Sequence, residues 1–124
     1  MPPASFDQMV TFLYTRDLNA TAHFYEGLLG LPLVRDQGDC RIYRVCPGAY
    51  IGFCQRENIP ADKTCVIVTL VADEVDEWFE RLSREGLTVE KPPAHNPKYA
   101  IRHMFLRDPE GYLVEIQHFD EALA

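Results

Sequence analysis

No stretch of the chain approaches the ~20 consecutive apolar residues that a membrane-spanning helix needs, so no membrane partner is expected. Positive charge is scarce. Lys and Arg together number 12 against 19 Asp and Glu, a net charge of −7. A nucleic-acid partner would want a basic face, and this balance argues against one; its main effect is on solubility. Met1 to Ser5 offer no basic start and no apolar run, which predicts no secretory signal and a cytoplasmic location. Cysteine is sparse: Cys40, Cys46, Cys54 and Cys65 include no C-x-x-C and no His at zinc-finger spacing. An even number leaves disulfides open, but the expected state is four free thiols acting as small hydrophobes in a reducing compartment. The phosphate loop, G-x-G-x-x-G, H-E-x-x-H and G-x-S-x-G are all missing, and Ser5 and Ser83 have no evident base partner.

What is present suits one globular domain. The chain has 124 residues, 47% apolar and 25% charged, enough for one real core. Gln8 to Thr15 alternates as a strand, with Val10, Phe12 and Tyr14 on one face. Asp17 or Asn19 can cap a following helix carrying Ala22, Tyr25, Leu28 and Leu29, and Gly30 stops it. Leu33 to Asp36, Arg41 to Val45 and Tyr50 to Gln55 read as strands between turns. Arg56 to Lys63 is polar and aperiodic. Cys65 to Val71 is strand-like, and Asp73 can cap a helix with Val75, Trp78, Phe79 and Leu82 on one stripe. Leu87 to Glu90 reads as a short strand, and Lys91 to Lys98, rich in proline, as a stiff loop. Ile101 to Arg107 and Tyr112 to Phe119 form a hairpin around the turn Asp108-Pro109-Glu110-Gly111.

The order β-α-β-β-β therefore occurs twice. Leu31-Pro32-Leu33-Val34 after Gly30 parallels Leu87-Thr88-Val89-Glu90 after Gly86. The expected architecture is α+β, a single domain over 1–124 with module one at about 6–56, a linker at about 57–63 and module two at about 64–120. Neither module can hide its apolar sheet face alone. Two side by side would curl eight strands around a shared concavity, with the helices outside.

Three segments carry a resemblance. Thr15-Arg16-Asp17-Leu18, then His23-Phe24-Tyr25-Glu26 with Leu29-Gly30-Leu31-Pro32-Leu33-Val34, then Arg107-Asp108-Pro109-Glu110-Gly111-Tyr112-Leu113-Val114-Glu115-Ile116 resemble the vicinal oxygen chelate superfamily. That group includes glyoxalase I, bleomycin resistance proteins, fosfomycin resistance enzymes and extradiol dioxygenases. The resemblance implies paired βαβββ modules forming a half-open barrel. It speaks less to function, because the superfamily does unrelated chemistry on one scaffold. Metal-dependent members take a His or Gln early in the first strand of each module and a Glu late in the last. Carried over, Glu115 matches the late carboxylate, and its module-one counterpart is Gly52. The first-strand positions fall on Val10 and on Val66 or Ile67, and Gln8 could substitute only if the register is displaced by two.

The resemblance thus implies a member that binds a small, partly aromatic or apolar molecule in a barrel or dimer cavity, without a cofactor and as a homodimer. The alternatives are a lyase or dioxygenase using Glu115 and a divalent Zn, Ni, Mn or Fe, or a dimerising scaffold. If Glu115 faces the concavity, the resemblance places Ile101, His103 and Phe105 on the same face of the neighbouring strand, and His103 with Glu115 would make an acid–base pair. Phe12, Tyr14, Tyr50 and Phe105 would add an aromatic lining suited to a flat ligand. Arg41 and Arg102 could reach an anionic group, and His95 sits on the proline-rich loop.

Overall fold

A computed structural model describes residues 5–123. Met1 to Ala4, on which the expected lack of a secretory start largely rests, and Ala124 lie outside the described residues. The chain divides between Ile59 and Pro60 into two compact units, each a βαβββ module.

The first unit runs β1 (Met9–Thr15), α1 (Leu18–Ala22), a π-helical extension (His23–Leu28), β2 (Leu33–Asp36), β3 (Cys40–Cys46) and β4 (Ala49–Gln55). The helix starts where the sequence calls for it, since the Asp17 carboxylate accepts the N–H groups of Asn19 and Ala20. It does not stay α-helical: Leu29 N–H reaches back to the carbonyl of Phe24 and Leu31 N–H to that of Tyr25. The sheet order is β1-β4-β3-β2, with β1 parallel to β4. Its covered side holds Tyr25, Tyr43, Ile51 and Phe53; the Tyr25 and Phe53 rings lie 4.5 Å apart.

Cys40 and Cys54 are direct partners across β3 and β4, with Cα atoms 4.1 Å apart, and they form a disulfide. This corrects the expectation of four free thiols. The pairing depends on strand register, which residue spacing does not disclose. Cys46 and Cys65 are free but exposed, so they do not act as buried hydrophobes.

The second unit repeats the order with β5 (Ile67–Val71), α2 (Val75–Arg84), β6 (Lys91–Asn96), β7 (Ile101–Arg107) and β8 (Leu113–Phe119). Its sheet order is β5-β8-β7-β6, with β5 parallel to β8. On one side Val75 and Leu82 of α2, Met104, Leu106, Val114 and Ile116 are buried. Trp78 is only half-buried, with the Arg81 guanidinium 5.0 Å from its ring centroid. The hairpin turn is tied by Asp108 Oδ1, which accepts from the N–H groups of Glu110 and Tyr112, and Gly111 takes φ 99° there.

Two local expectations fail. Leu87 to Glu90 is not a strand, whereas the proline-rich run is one. β6 lies at the sheet edge, where only one side needs ladder bonds. Pro92 and Pro93 fall in the register shift between Lys91 and Ala94, so no paired N–H is lost. The residue before α2 is Glu74, without a side-chain cap, rather than Asp73.

Candidate functional site

Strand register makes the sheet face opposite the helix comparable between the modules. In module one, successive rows across β1, β4 and β3 are Val10–Tyr50–Arg44, Phe12–Gly52–Ile42 and Tyr14–Cys54–Cys40. In module two, the rows across β5, β8 and β7 are Ile67–Leu113–Arg107, Thr69–Glu115–Phe105 and Val71–Gln117–His103. The same scaffold thus carries an aromatic face in one module and a polar cluster in the other.

The polar cluster centres on Glu115. His103 Nδ1 donates to its Oε2 at 2.5 Å, and the Thr69 hydroxyl donates to Oε1 at 2.9 Å. With its amide nitrogen turned toward the carboxylate, Gln117 donates to both oxygens at 3.0 Å. The Phe105 ring meets the His103 ring edge-on, with centroids 4.9 Å apart. Glu115 and Gln117 are buried and His103 is half-buried. His103 held through Nδ1–H presents Nε2 as an acceptor, and no described residue occupies that nitrogen. The arrangement can therefore accept a proton at Nε2 and return it, with Glu115 fixing the tautomer.

Sequence reasoning placed His103, Phe105 and Glu115 together on one face, and the structure does so. It missed Thr69 and Gln117. Gln117 shares strand parity with Glu115, a signal that was legible. Thr69 becomes its neighbour only through the parallel β5–β8 register.

In module one, Val10, Phe12 and Tyr14 are 39%, 49% and 48% exposed. The Phe12 ring closes over Gly52: a Cβ built there would stand 2.5 Å from the ring atoms Cδ1 and Cε1. Any side chain at this position would have to displace the ring. Gln8, just before β1, donates from its amide to the Tyr50 hydroxyl at 3.3 Å. Arg56 stacks its guanidinium 5.1 Å from the Tyr14 ring centroid.

Other candidates are engaged elsewhere. Arg102 makes two 2.7 Å hydrogen bonds to Asp76, and Arg41 reaches the Leu18 carbonyl and the Asn19 side chain on α1. His95 lies on β6, 2.8 Å from Asp120.

The donor set does not fit the metal centre of the metal-dependent members. No group of three or more His, Cys, Asp or Glu among the described residues is placed to hold an ion. Both Glu115 oxygens already accept from Thr69, His103 or Gln117. The corresponding row of module one holds Phe12, Gly52 and Ile42, none of them a ligand. Gln8, whose Nε2 donates to Tyr50, would bring only its Oε1.

With this geometry established, the comparisons are direct. Residues 5–116 match the model of the Glyoxalase/Bleomycin resistance protein/Dioxygenase superfamily, and the chain belongs to that superfamily. No curated protein matches it significantly. Among solved structures it is similar to a glyoxalase/bleomycin resistance protein/dioxygenase from Nocardioides, at 23% identity and a TM-score of 0.77, covering 98% of this chain and 88% of that one. It is similar to lactoylglutathione lyase from Agrobacterium tumefaciens at 25% identity and a TM-score of 0.74, covering 95% and 96%. TioX from Micromonospora sp. ML1 shares the fold at 21% identity and a TM-score of 0.74, covering 90% and 97%. Tandem βαβββ modules of the glyoxalase type are thus the fold of this protein.

Proposed function

We propose that this chain binds a small, partly aromatic or apolar molecule, and does so without the superfamily metal centre. The observation that carries this reading is the open aromatic face of module one, where Phe12 and Tyr14 stand half-exposed and Gly52 makes room for the Phe12 ring. An aromatic side chain left in water forgoes the ~1.5–3 kcal/mol that burial would return, and a flat ligand recovers part of it. The test is fluorescence titration with N-phenyl-1-naphthylamine, an uncharged aromatic probe. Saturable binding weakened about tenfold in Phe12→Ala is expected; the absence of saturable binding would remove the reading. For the metal, Glu115→Gln is expected to leave the metal content of the purified protein unchanged. Stoichiometric Zn, Ni, Mn or Fe lost in that variant would restore the metalloenzyme alternative.

A second reading rests on the unoccupied Nε2 of His103, which suits proton transfer on a bound molecule. Turnover of lactoylglutathione abolished by both His103→Gln and Glu115→Gln would put it first. A homodimer and a cytoplasmic setting belong to the proposal. The Cys40–Cys54 disulfide bears on that setting: a bond that persists when freshly quenched cells are alkylated would count against a reducing compartment.

A further inference from the structure

A groove of about 320 Å³ lies on the ligand face of module one, walled by Val10, Val34, Ile42 and Tyr50. Two guanidiniums, Arg35 and Arg44, also line it. Their presence on one face is a matter of register. Arg44 pairs with Tyr50 across β3 and β4. Regular pairing of β2 with β3 would set Val34 opposite Ile42, but an irregularity between Leu33 and Arg35 puts Arg35 there. The extra residue turns Arg35 onto the face of Ile42 and Gly52.

The duplicated module shows what these positions do when they are merely structural. The counterpart of Arg44 is Arg107, whose Nε donates to Glu90 at 2.9 Å. The counterpart of Arg35 is Lys91, whose ammonium lies 5.8 Å from the Phe105 ring centroid. Both cations of module two are satisfied within the fold. In module one, neither Arg35 nor Arg44 makes a side-chain hydrogen bond or ion pair with a described residue, in a chain whose net charge is −7. Carboxylates are plentiful and none is placed there.

We infer that the module-one groove selects a flat apolar molecule bearing an oxyanion (carboxylate, phosphate or sulfonate), with Arg35 and Arg44 flanking the anion and Ile42, Val10 and Tyr50 taking the apolar body. This rests on the small-molecule reading above and names the ligand class. Guanidinium forks suit oxyanions because two N–H groups can meet two oxygens, and the adjacent apolar wall strengthens the attraction by displacing water.

The test uses two probes with one skeleton. 8-Anilinonaphthalene-1-sulfonate carries the anion, and N-phenyl-1-naphthylamine lacks it. The protein should bind the sulfonate at least about tenfold more tightly, and Arg35→Gln/Arg44→Gln should abolish that preference while still binding the neutral probe. Arg81→Gln/Arg84→Gln removes the same charge from α2 and should leave the preference intact. Bound sulfonate should be displaced by 1-naphthoate or 1-naphthyl phosphate and not by 1-naphthalenemethanol. Equal affinity for the two probes, an unaffected Arg35/Arg44 double variant, or equal displacement by the alcohol would overturn the inference while leaving small-molecule binding standing. Failure of both probes to bind would overturn both.

Discussion

At the scale of single residues, two positions on corresponding rows do opposite things. Gly52 is empty so that Phe12 can lie on it; Glu115, its counterpart, gathers three donors. Gly52→Ala would force the Phe12 ring aside rather than split the sheet, because the contacts are to a half-exposed side chain. An off-rotamer ring costs roughly 0.5–1.5 kcal/mol, and replacing glycine in a strand returns roughly 0.5–1 kcal/mol. Urea unfolding of Gly52→Ala should therefore agree with the parent within about 1 kcal/mol, while affinity for N-phenyl-1-naphthylamine falls. Glu115 differs, since it is buried. Glu115→Ala would strand the buried Gln117 amide and leave His103 Nδ1 and the Thr69 hydroxyl unpaired, at about 1–3 kcal/mol. Denaturant unfolding checks it, and a loss below about 0.5 kcal/mol would show that water replaces the carboxylate without penalty.

At the scale of elements, α2 is tied to β7 by the bidentate Asp76–Arg102 pair. The hydrogen bonds from Arg102 hold the Asp76 carboxyl below its ordinary 3.8. Because the folded value is depressed, the bridge contributes stability above the ordinary value and loses it as pH falls through the folded one. Both groups are largely exposed, so the effect is small. Asp76→Asn should lower the melting temperature at pH 7 by no more than about 2 °C, and the difference from the parent should shrink as the pH falls through the depressed value of the folded carboxyl. The disulfide joins β3 to β4 across 14 residues. A loop of this size gains at most about 3 kcal/mol, and less where a hairpin already holds the ends together. Thermal melts with and without dithiothreitol should differ for the parent and coincide for Cys40→Ser/Cys54→Ser. These elements also show what the sequence disclosed. Ile101–Arg107 and Leu33–Asp36 were legible because apolar alternation and turn residues bound them. Lys91–Asn96 was not, because two prolines read as a loop unless the strand is known to be an edge. The Glu115–His103 pairing was legible through the family resemblance, which set His103 on the face of Glu115 in the neighbouring strand. Thr69, the cysteine bridge and the placement of Arg35 were hidden, because each depends on pairing between strands distant in sequence or on a register irregularity.

At the scale of the whole molecule, each sheet ends on a strand with exposed apolar side chains: Met9 on β1, and Ile67 and Val71 on β5. Exposed edge strands invite pairing, and natural chains usually blunt them with charge or proline, as β6 is blunted by Pro92 and Pro93. β1 and β5 carry neither lysine nor proline. The accessible surface is 8236 Å², and a stable isologous contact needs only about 800 Å² from each partner. A closed two-fold dimer is the simplest arrangement that covers such edges without leading to filaments. Light scattering of the purified protein should therefore give twice 14.2 kDa at micromolar concentration. Met9→Lys and Val71→Lys, placed where the side chains already face water, should leave stability within about 0.5 kcal/mol and shift the equilibrium toward monomer through like-charge repulsion across the two-fold axis. A parent protein that stays at 14.2 kDa across its soluble range would rule out the dimer. The exposed apolar edges would then have to be accounted for within a single chain.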